Sequence, residues 1–278
     1  MISPDEVKRV VRNTVPLRVL FALRQFVYDL RAVFFVGNSV FCPVCNQGYR
    51  RFLGGGRSFH VLEALNVVGG GFRQQNYCPR CNSGYKERLL YLYLQHCESM
   101  FGPRMRELSV LHVAPEWSLR KVFASESFAQ YVRCDLNSPL VDLRVDVTAI
   151  PFPDQSFDVL ICNHVLEHVP DDRTAMKELY RVLRAGGLAV LQVPFTEALD
   201  ESVERDDAIE MTNSQREMHF GQWDHIRIYS RRDYCERLQR AGFDVEEFYW
   251  PASPTFSRME KCALDSREVV FCARKTEA

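Results

Sequence analysis

The chain has 278 residues, 46% of them apolar, and a formal net charge of −1. This composition supports one large core or a core with a small attached module. No apolar run approaches the roughly 18 residues of a membrane-spanning helix, and the basic start of the chain lacks the apolar stretch of a secretory signal, so neither a transmembrane nor a secreted protein is expected. Ten cysteines then indicate a reducing compartment, and we expect a cytoplasmic protein.

The charge is unevenly distributed along the chain. The first hundred residues hold 13 lysines and arginines against 6 acidic residues, so the remainder is acidic. A basic front module could meet a phosphate-bearing partner or an anionic membrane surface. It could equally be a solvated face that docks on the acidic part of the same chain, and the sequence leaves both interpretations open.

Residues 1–36 form a predicted helical arm. Apolar side chains recur there at helical spacing with arginines between them, and Pro16 is expected to end or kink the first piece. The apolar positions are Val7, Val10, Val11, Leu20, Leu23, Phe26, Val27 and Leu30. Such a stripe usually packs against its own domain, which is the expectation here, and contact with a membrane surface is the alternative.

Residues 37–85 form a predicted cysteine-rich module with two matching Cys-Pro-x-Cys knuckles. The cysteines are Cys42, Cys45, Cys78 and Cys81. Four such thiolates predict a closed, structural Zn²⁺ site in a small zinc-ribbon-like module, although the interval between the knuckles is longer than in a usual ribbon. The glycine triplets at 54–56 and 69–71 suit turns within that interval. Unrelated buried cysteines and a redox pair are the weaker alternatives.

The rest of the chain alternates predicted helices and strands. A helix over Asn82–Gly102 leads to three apolar strands, which lie in Ser109–Glu116, Tyr131–Leu136 and Val145–Val169. This alternation predicts an α/β fold with a parallel sheet covered on both faces. Ligands of such sheets bind outside the carboxyl ends of the strands, and Asp135 and Asp146 fall at two such ends.

The run Asp146–Pro194 resembles class I S-adenosylmethionine-dependent methyltransferases of the small-molecule type. It has an acid-bearing turn with Pro-Phe, a strand that begins Phe-Asp, then Leu-Glu-His-Val, and a helix that ends Arg-Val-Leu before two glycines. The resemblance covers roughly Ser109 to Tyr249. It implies a Rossmann-like seven-stranded methyltransferase sheet within residues 86–278, with an antiparallel hairpin of Phe243–Trp250 and Arg267–Arg274 at its edge.

The resemblance also implies a binding site for S-adenosylmethionine. Asp135 would bind the ribose hydroxyls, and Asp146 would accept a hydrogen bond from the adenine amino group with the Val147 backbone alongside. The family's first motif is an acidic residue followed by spaced glycines; here His112 takes the acidic position, and Ala114, Glu116 and Ser118 take the glycine positions. The cofactor-binding residues implied in this way are His112, Ala114, Glu116, Asp135, Asp146, Val147 and Asn163.

Two histidines are candidate catalytic residues. Methyl transfer to a hydroxyl needs a base whose pKa is near neutral, and histidine is the natural choice. His164 directly follows the third apolar strand, and His225 lies in a segment that borders the substrate pocket in the family. Asp224 is expected to orient an imidazole, and either Gln222 or Arg227 is expected to hold an oxyanion or carboxylate. His168 is expected to be structural.

The leading prediction is a methyltransferase that acts on a small-molecule or saccharide-type hydroxyl. Cys162–Val165 replaces the Asn/Asp-Pro-Pro-aromatic motif that clamps a substrate amine, which argues against methylation of adenine or glutamine amino groups. The acidic segment Phe195–Phe220 is predicted to be an insertion or lid that covers the substrate. The sequence does not indicate an oligomeric state.

Two other functions stay open. An RNA methyltransferase is the first, because a cysteine–zinc module before such a domain resembles ribosomal RNA guanine methyltransferases, and basic and aromatic residues alternate in the module. These residues are Tyr49, Arg50, Arg51, Phe52, Arg57, Phe59, Phe72, Arg73, Tyr77 and Arg80. The second is a non-catalytic scaffold that kept the fold and lost the cofactor through the altered first motif.

Overall fold

The computed structural model describes residues 17–96, 103–125, 128–253 and 259–276. The first piece of the predicted arm, with the expected break at Pro16, lies outside the described residues. The end of the predicted helix Asn82–Gly102 lies outside them as well.

Helix α1 (Leu17–Val33) forms in the predicted arm, but its apolar stripe faces outward. Four side chains of the predicted stripe are 55–65% exposed, namely Leu23, Phe26, Val27 and Leu30, and the neighbouring Val19 and Val33 are 45% and 65% exposed. The other side of the helix is held in place, because the rings of Phe21 and Trp117 lie 4.6 Å apart and Arg31 donates to the Pro79 carbonyl at 2.8 Å. The expectation that the stripe packs on its own domain is therefore wrong for these residues. Within the described part of the chain, no helix is long and apolar enough to cross a membrane.

The cysteine-rich segment folds into two short antiparallel hairpins, β1 with β2 and β3 with β4. Its elements are β1 (Val36–Cys42), β2 (Gln47–Tyr49), β3 (Leu53–Gly55), α2 (His60–Ala64) and β4 (Arg73–Tyr77). Cys42 ends β1 and Cys78 directly follows β4, so the two hairpins bring the two knuckles together. Tyr49 and Phe52 are buried beneath them and form the core of this small module.

The module is joined closely to the rest of the molecule. Val68 and Phe195 exchange two backbone hydrogen bonds of 2.8 and 3.0 Å as an isolated antiparallel bridge. The following helix, α3 (Tyr85–His96), carries Arg88, which is completely buried and donates to the carbonyls of Asn76 and Cys262 at 2.7 Å. A buried guanidinium without hydrogen-bond partners would be costly. Since Arg88 needs carbonyls of both the module and the sheet domain, it holds the two in one relative position.

The centre of the molecule is a seven-stranded mixed sheet, as the sequence predicts. Its first part comprises β5 (Ser109–Val113), α4 (Trp117–Ser125), β6 (Gln130–Asp135), β7 (Leu143–Arg144), β8 (Phe157–Cys162), α5 (Asp172–Val182) and β9 (Leu183–Val190). Strands β5 to β9 are parallel, in the spatial order β9-β8-β5-β6-β7. The chain leaves β5 toward β6 on one side and returns to β8 on the other. A crevice at the carboxyl ends of β5 and β8 is therefore the expected ligand site.

Helix α5 shows why the flanking helices pack as they do. Asp171 caps its first turn by accepting a hydrogen bond from the Thr174 amide at 2.9 Å, which satisfies a donor that would otherwise lack a partner. The side chains that the helix buries against the sheet recur at helical spacing and are Ala175, Met176, Leu179 and Val182. The helix thus contributes one continuous apolar face to the main core.

The predicted lid segment has regular structure of its own. It contains β10 (Phe195–Thr196), β11 (Val203–Glu204) and α6 (Asn213–Phe220), and it pairs with β12 (Arg227–Ser230) in a three-stranded sheet of order β10-β12-β11. Thr212 and Gln215 cap α6 reciprocally. The predicted edge hairpin is confirmed as well: after α7 (Arg231–Arg240), β13 (Asp244–Phe248) pairs antiparallel with β14 (Val270–Arg274), and β14 pairs antiparallel with β9.

A buried acid next to β14 gives a prediction about stability. Glu268 has no exposed surface, and its pKa is raised to about 7 because burial penalises the charged form and Asp265 repels it. The folded state therefore binds this proton more tightly than the unfolded state does. The resulting stability is complete below pH 4.5 and is lost as the pH rises through 7, by up to about 3 kcal/mol.

We expect the Glu268→Gln variant to lack this loss and to be more stable than the wild type at pH 8. The measurement is urea unfolding between pH 4.5 and 8, with Glu246→Gln, an exposed carboxyl of β13, as the control. Parallel pH profiles for the wild type and Glu268→Gln would contradict the assignment.

Candidate active site

The carboxyl ends of β5, β6 and β8 bring the predicted cofactor residues to one edge of the sheet. In the register of these strands, Val113 pairs with both Cys134 and Cys162. The residues that follow, Ala114, Asp135 and Asn163, are therefore neighbours at the crevice, as the sequence predicts for the start of a ligand site.

Glu116 is the centre of the first loop. Ala114 has a positive φ of 47°, which turns the chain away from β5. Glu116 then accepts hydrogen bonds from His112 Nε2 at 2.8 Å and from Asn163 Nδ2 at 3.1 Å. Burial opposes ionisation of this carboxyl, but the contact with His112 prevails and the pKa of Glu116 is lowered. An ionised carboxylate is thus held beside the crevice.

His112 lies behind this carboxylate rather than in the crevice. The side chain is completely buried, and its Nδ1 lies 2.9 Å from the Tyr131 hydroxyl while Nε2 contacts Glu116. Both ring nitrogens are thus engaged within the protein. His112 therefore supports Glu116, and of these two side chains Glu116 is the one with exposed surface.

The two predicted acids Asp135 and Asp146 occupy similar turns. One oxygen of Asp135 accepts from the amides of Asn137 and Ser138, each at 2.7 Å. One oxygen of Asp146 accepts from the Thr148 amide at 2.9 Å and from its hydroxyl at 2.7 Å. In each case these contacts use Oδ1, so the turn fixes the carboxylate while Oδ2 takes no part in it.

A cavity of about 660 Å³ opens between the cysteine-rich module and the sheet domain. The module contributes the glycines 69–71, Tyr77 and Tyr85 to its wall, and the sheet domain contributes four titratable residues from the segment directly after β8 and the loop directly before β12. These four are His164, Glu167, His168 and His225. Both predicted catalytic histidines thus line one cavity, together with His168, which sequence reasoning had set aside as structural.

His164 and His225 converge on a buried carboxylate. His164 has a positive φ of 53° and places Nδ1 3.5 Å from Glu167 Oε1, and His225 places Nε2 3.9 Å from the same oxygen. Burial lowers the pKa of His164, and it lowers the pKa of His225 to about 4. Although burial opposes it, the three neighbouring imidazoles lower the pKa of Glu167 to about 2. Burial thus favours the neutral form of both imidazoles, and the imidazoles favour the ionised form of Glu167.

Asp224 orients an imidazole, as the sequence predicts, but Arg227 does not have the role expected from the sequence. The carbonyl of Asp224 contacts Nδ1 of His168, at 3.0 Å, so the imidazole that it orients is His168. Arg227 is 6% exposed and donates to the carbonyls of Leu166 and Pro170 and to a glutamate of β11. Its guanidinium is therefore committed to the turn after β8, and holding a substrate oxyanion is not its role.

Lys86 is a site residue that the sequence interpretation missed. It lies in the first turn of α3, lines the cavity, and donates through Nζ to the Gly69 carbonyl at 2.9 Å. The sequence interpretation treated its helix only as the entry to the sheet. The sequence offers one signal for Lys86, which is its place five residues after Cys81. A residue so close to the second knuckle must lie near the surface against which that knuckle packs.

The four knuckle cysteines form one cluster. Their sulfurs all lie within 4.8 Å of one another, with Cys42 to Cys81 at 3.5 Å and Cys45 to Cys78 at 3.6 Å. The Ser83 hydroxyl lies 3.3 Å from Cys42 Sγ, a contact of the kind that surrounds bound thiolates. Four sulfurs around a metal ion at about 2.3 Å stand about 3.8 Å apart, so the cluster fits a tetrahedral zinc site.

A doubly wound sheet with two acids and a carboxylate-bearing loop at its carboxyl edge defines a nucleotide-type binding domain of the α/β class. The family model described as a methyltransferase domain matches residues 109–247, and the chain belongs to this family of class I S-adenosylmethionine-dependent methyltransferases. Both predictions, of the family and of its fold, are confirmed.

Individual relatives resemble parts of the chain. The uncharacterized methyltransferase YcgJ of Bacillus subtilis is 27% identical over 159 residues, which are 56% of this chain and 59% of that protein. The ubiquinone/menaquinone biosynthesis C-methyltransferase UbiE of Xanthomonas axonopodis is 47% identical over 47 residues, 17% of this chain and 19% of that one. The solved structure of a putative methyltransferase from Bacillus halodurans is similar with a TM-score of 0.43 and 18% identity, over 67% of this chain and 98% of that one.

Proposed function

We propose that the protein transfers a methyl group from S-adenosylmethionine to a hydroxyl oxygen of a small, saccharide-type molecule. The cavity beside the end of β8 is the observation that carries this proposal. Its volume of about 660 Å³ suits a small molecule, and its wall places the imidazole of His164 directly after the strand at whose end the methyl donor is expected. The module and α6 form the other walls of the cavity and would shield the acceptor from bulk water.

The residues at the sheet edge fit the cofactor. Asp135 would bind the ribose hydroxyls, and Asp146 with the Val147 backbone would bind the adenine. Ser118, in the first turn of α4, has a buried hydroxyl with no hydrogen-bond partner among the described residues, as expected where a ligand group completes the site. When bound, the cofactor supplies an electrophilic methyl group on a sulfonium.

Glu116 explains how a loop without the usual glycines can serve this cofactor. S-adenosylmethionine carries positive charge on its sulfonium and on its amino group, and a partly buried carboxylate attracts both. His112 and Asn163 hold Glu116 in its ionised form by donating to its two oxygens. Ala114 leaves room for the methionine moiety. In this proposal His112 and Asn163 act through Glu116.

His164 and His225 are the proposed catalytic residues. Their imidazoles line the acceptor cavity, and burial keeps both of them neutral near pH 7, which is the form that accepts a proton. In-line displacement at the methyl group requires mainly that donor and acceptor are aligned. The cavity wall from the module would provide this alignment, with Lys86 as a fixed positive charge beside the acceptor.

We also propose that the four knuckle cysteines bind a structural Zn²⁺. The spacing of the sulfurs fits four-thiolate coordination, and such a site has no open position for catalysis. The ion would instead hold the module in place as one wall of the cavity.

A small acceptor is favoured over RNA by the state of four of the basic and aromatic residues in the module. Tyr49 and Phe52 are buried, so they are not available to stack on bases. Arg73 pairs with Asp265, and the Arg80 guanidinium lies 2.9 Å from Asp29. Charges that are neutralised within the protein contribute little to binding of phosphates.

The test is release of S-adenosylhomocysteine from S-adenosylmethionine by the zinc-loaded protein. The acceptors are pooled saccharides and other hydroxyl compounds in one series and total RNA in another. Release that depends on the hydroxyl compounds and is lost in His164→Gln supports the proposal. Release that depends on RNA would replace it by the RNA alternative, and failure to bind the cofactor at all would favour the scaffold.

A further inference from the structure

A carboxylate and two imidazoles meet at the floor of the cavity in an arrangement that acceptor binding alone does not explain. One ligand atom each of Glu167, His168 and His225 lies within 4.8 Å of the others. Glu167 and His168 belong to the 3-10 turn Leu166–His168 after β8, and His225 belongs to the loop before β12. The rings of His168 and His225 meet edge to face with their centroids 4.8 Å apart.

The carboxylate at this point lacks the partners that a buried charge needs. Glu167 is 1% exposed, and neither of its oxygens has a hydrogen-bond partner among the described residues. The neighbouring Nδ1 of His164 is buried and without a hydrogen-bond partner in the same part of the chain. Buried charges in proteins are normally paired or bound to metal ions, so this group of atoms points to a missing cation.

The surrounding side chains orient the three groups. Nδ1 of His168 donates to the Asp224 carbonyl at 3.0 Å, so its Nε2 keeps a free lone pair. Arg227 donates to the Leu166 carbonyl at 2.8 Å and so holds the turn that carries Glu167. A second shell that fixes the tautomer of an imidazole and the position of a carboxylate is typical of metal sites. Lys86, the other nearby cation, already donates to the Gly69 carbonyl.

We propose that Glu167, His168 and His225 bind a divalent transition-metal ion such as Mn²⁺ or Zn²⁺. Two imidazoles and one carboxylate suit these ions, whereas Mg²⁺ and Ca²⁺ prefer all-oxygen sites. Three protein ligands leave coordination positions open toward the cavity. Its role there rests on the proposed function: the acceptor hydroxyl would occupy an open position, where coordination positions it and makes it more acidic. His225 would then contribute to catalysis as a metal ligand, and His164 would be the residue that accepts the proton.

The proposal is tested by metal binding to the full, zinc-loaded chain without cofactor or acceptor. Mn²⁺ is titrated and followed by the electron paramagnetic resonance signal of the free ion, and Zn²⁺ is titrated in parallel beyond the equivalent held by the cysteines. Mn²⁺ leaves a thiolate site undisturbed, because thiolates select softer ions. We expect one ion per chain, with affinity weakened at least about 30-fold in Glu167→Gln and in His225→Gln.

His219→Gln is the matched control, because this exposed histidine of α6 lies outside the cluster and should bind metal as the wild type does. Unchanged zinc content and unchanged binding of S-adenosylhomocysteine show that each variant is folded. Absence of a second ion in the wild type, or equal affinity in the two ligand variants, would overturn the proposal. A failed titration with S-adenosylhomocysteine would count against the proposed function instead and would leave the metal result standing.

Discussion

Replacement of Cys42 and Cys78 by serine is expected to release zinc and abolish turnover while binding of S-adenosylhomocysteine persists. Serine hydroxyls do not ionise at neutral pH, so two of the four ligands are lost, and zinc binding and folding of such modules are coupled. The module forms one wall of the acceptor cavity through the glycines 69–71 and Tyr77. The residues proposed to hold the cofactor lie instead on loops of the central sheet.

The measurements are zinc content, limited proteolysis, turnover and calorimetric titration. We expect cleavage within residues 37–85, no turnover, and an affinity for S-adenosylhomocysteine within about threefold of the wild type, because the two sites are separate. Cys235→Ser is the control, since this half-buried cysteine lies outside the cluster. A double variant that keeps its zinc or resists proteolysis like the wild type would show that the cysteines do not hold the module together.

The second large effect is expected for Asp135→Asn. This substitution should weaken binding of S-adenosylhomocysteine about 30-fold or more. The lost free energy of binding is equivalent to one to two hydrogen bonds to a charged group. Asparagine keeps an oxygen for the amides of Asn137 and Ser138, so the turn after β6 survives. Its amide nitrogen cannot accept from a ribose hydroxyl, and the charge is gone.

Calorimetry with the wild type and this variant measures the effect directly. Asp142→Asn is the matched control, because Asp142 lies nearby and pairs with Arg133 of β6 without facing the crevice between β5 and β8. Equal affinities of the wild type and Asp135→Asn would remove Asp135 from the cofactor site, and a loss in both variants would point to damage to the strand.

The central sheet could be predicted because its signals are local. Strands such as Phe157–Cys162, which are apolar apart from Asp158, are typical of a parallel sheet covered on both faces, and an acid at a strand end marks the ligand edge. The two knuckles likewise identify a four-cysteine cluster by spacing alone. These features depend on residues close together in the sequence or on a repeated pattern.

Features that depend on docking between distant segments could not be predicted. The outward stripe of α1 is an example, because an apolar pattern shows that a helix has two faces but not which one is covered. Here the other face is covered, because Arg31 donates to a carbonyl of the module and Phe21 packs against Trp117 of α4. Lys86 and the cavity itself were missed for the same reason, since the wall formed by the module exists only after Val68 has paired with Phe195.

Glu167 was overlooked for a different reason. Its motif, Leu-Glu-His-Val, helped to identify the family, and His168 of the same motif is expected from the sequence to be structural. Only the three-dimensional arrangement shows that both oxygens of this carboxylate lack hydrogen-bond partners among the described residues and that three imidazoles lie near it. For Arg227 the sequence predicted a role in substrate binding that the structure does not support. Its guanidinium donates instead to backbone carbonyls of the neighbouring turn.

A crystal structure of the zinc-loaded protein with S-adenosylhomocysteine tests the central claim most directly. The account predicts the adenosyl group between Asp135 and Asp146, the methionine moiety against Ala114 and Glu116, and the sulfur directed toward His164 at the cavity. Crystals grown at saturating ligand that contain none, or that hold the adenosyl group inside the cavity beside the module, would contradict it.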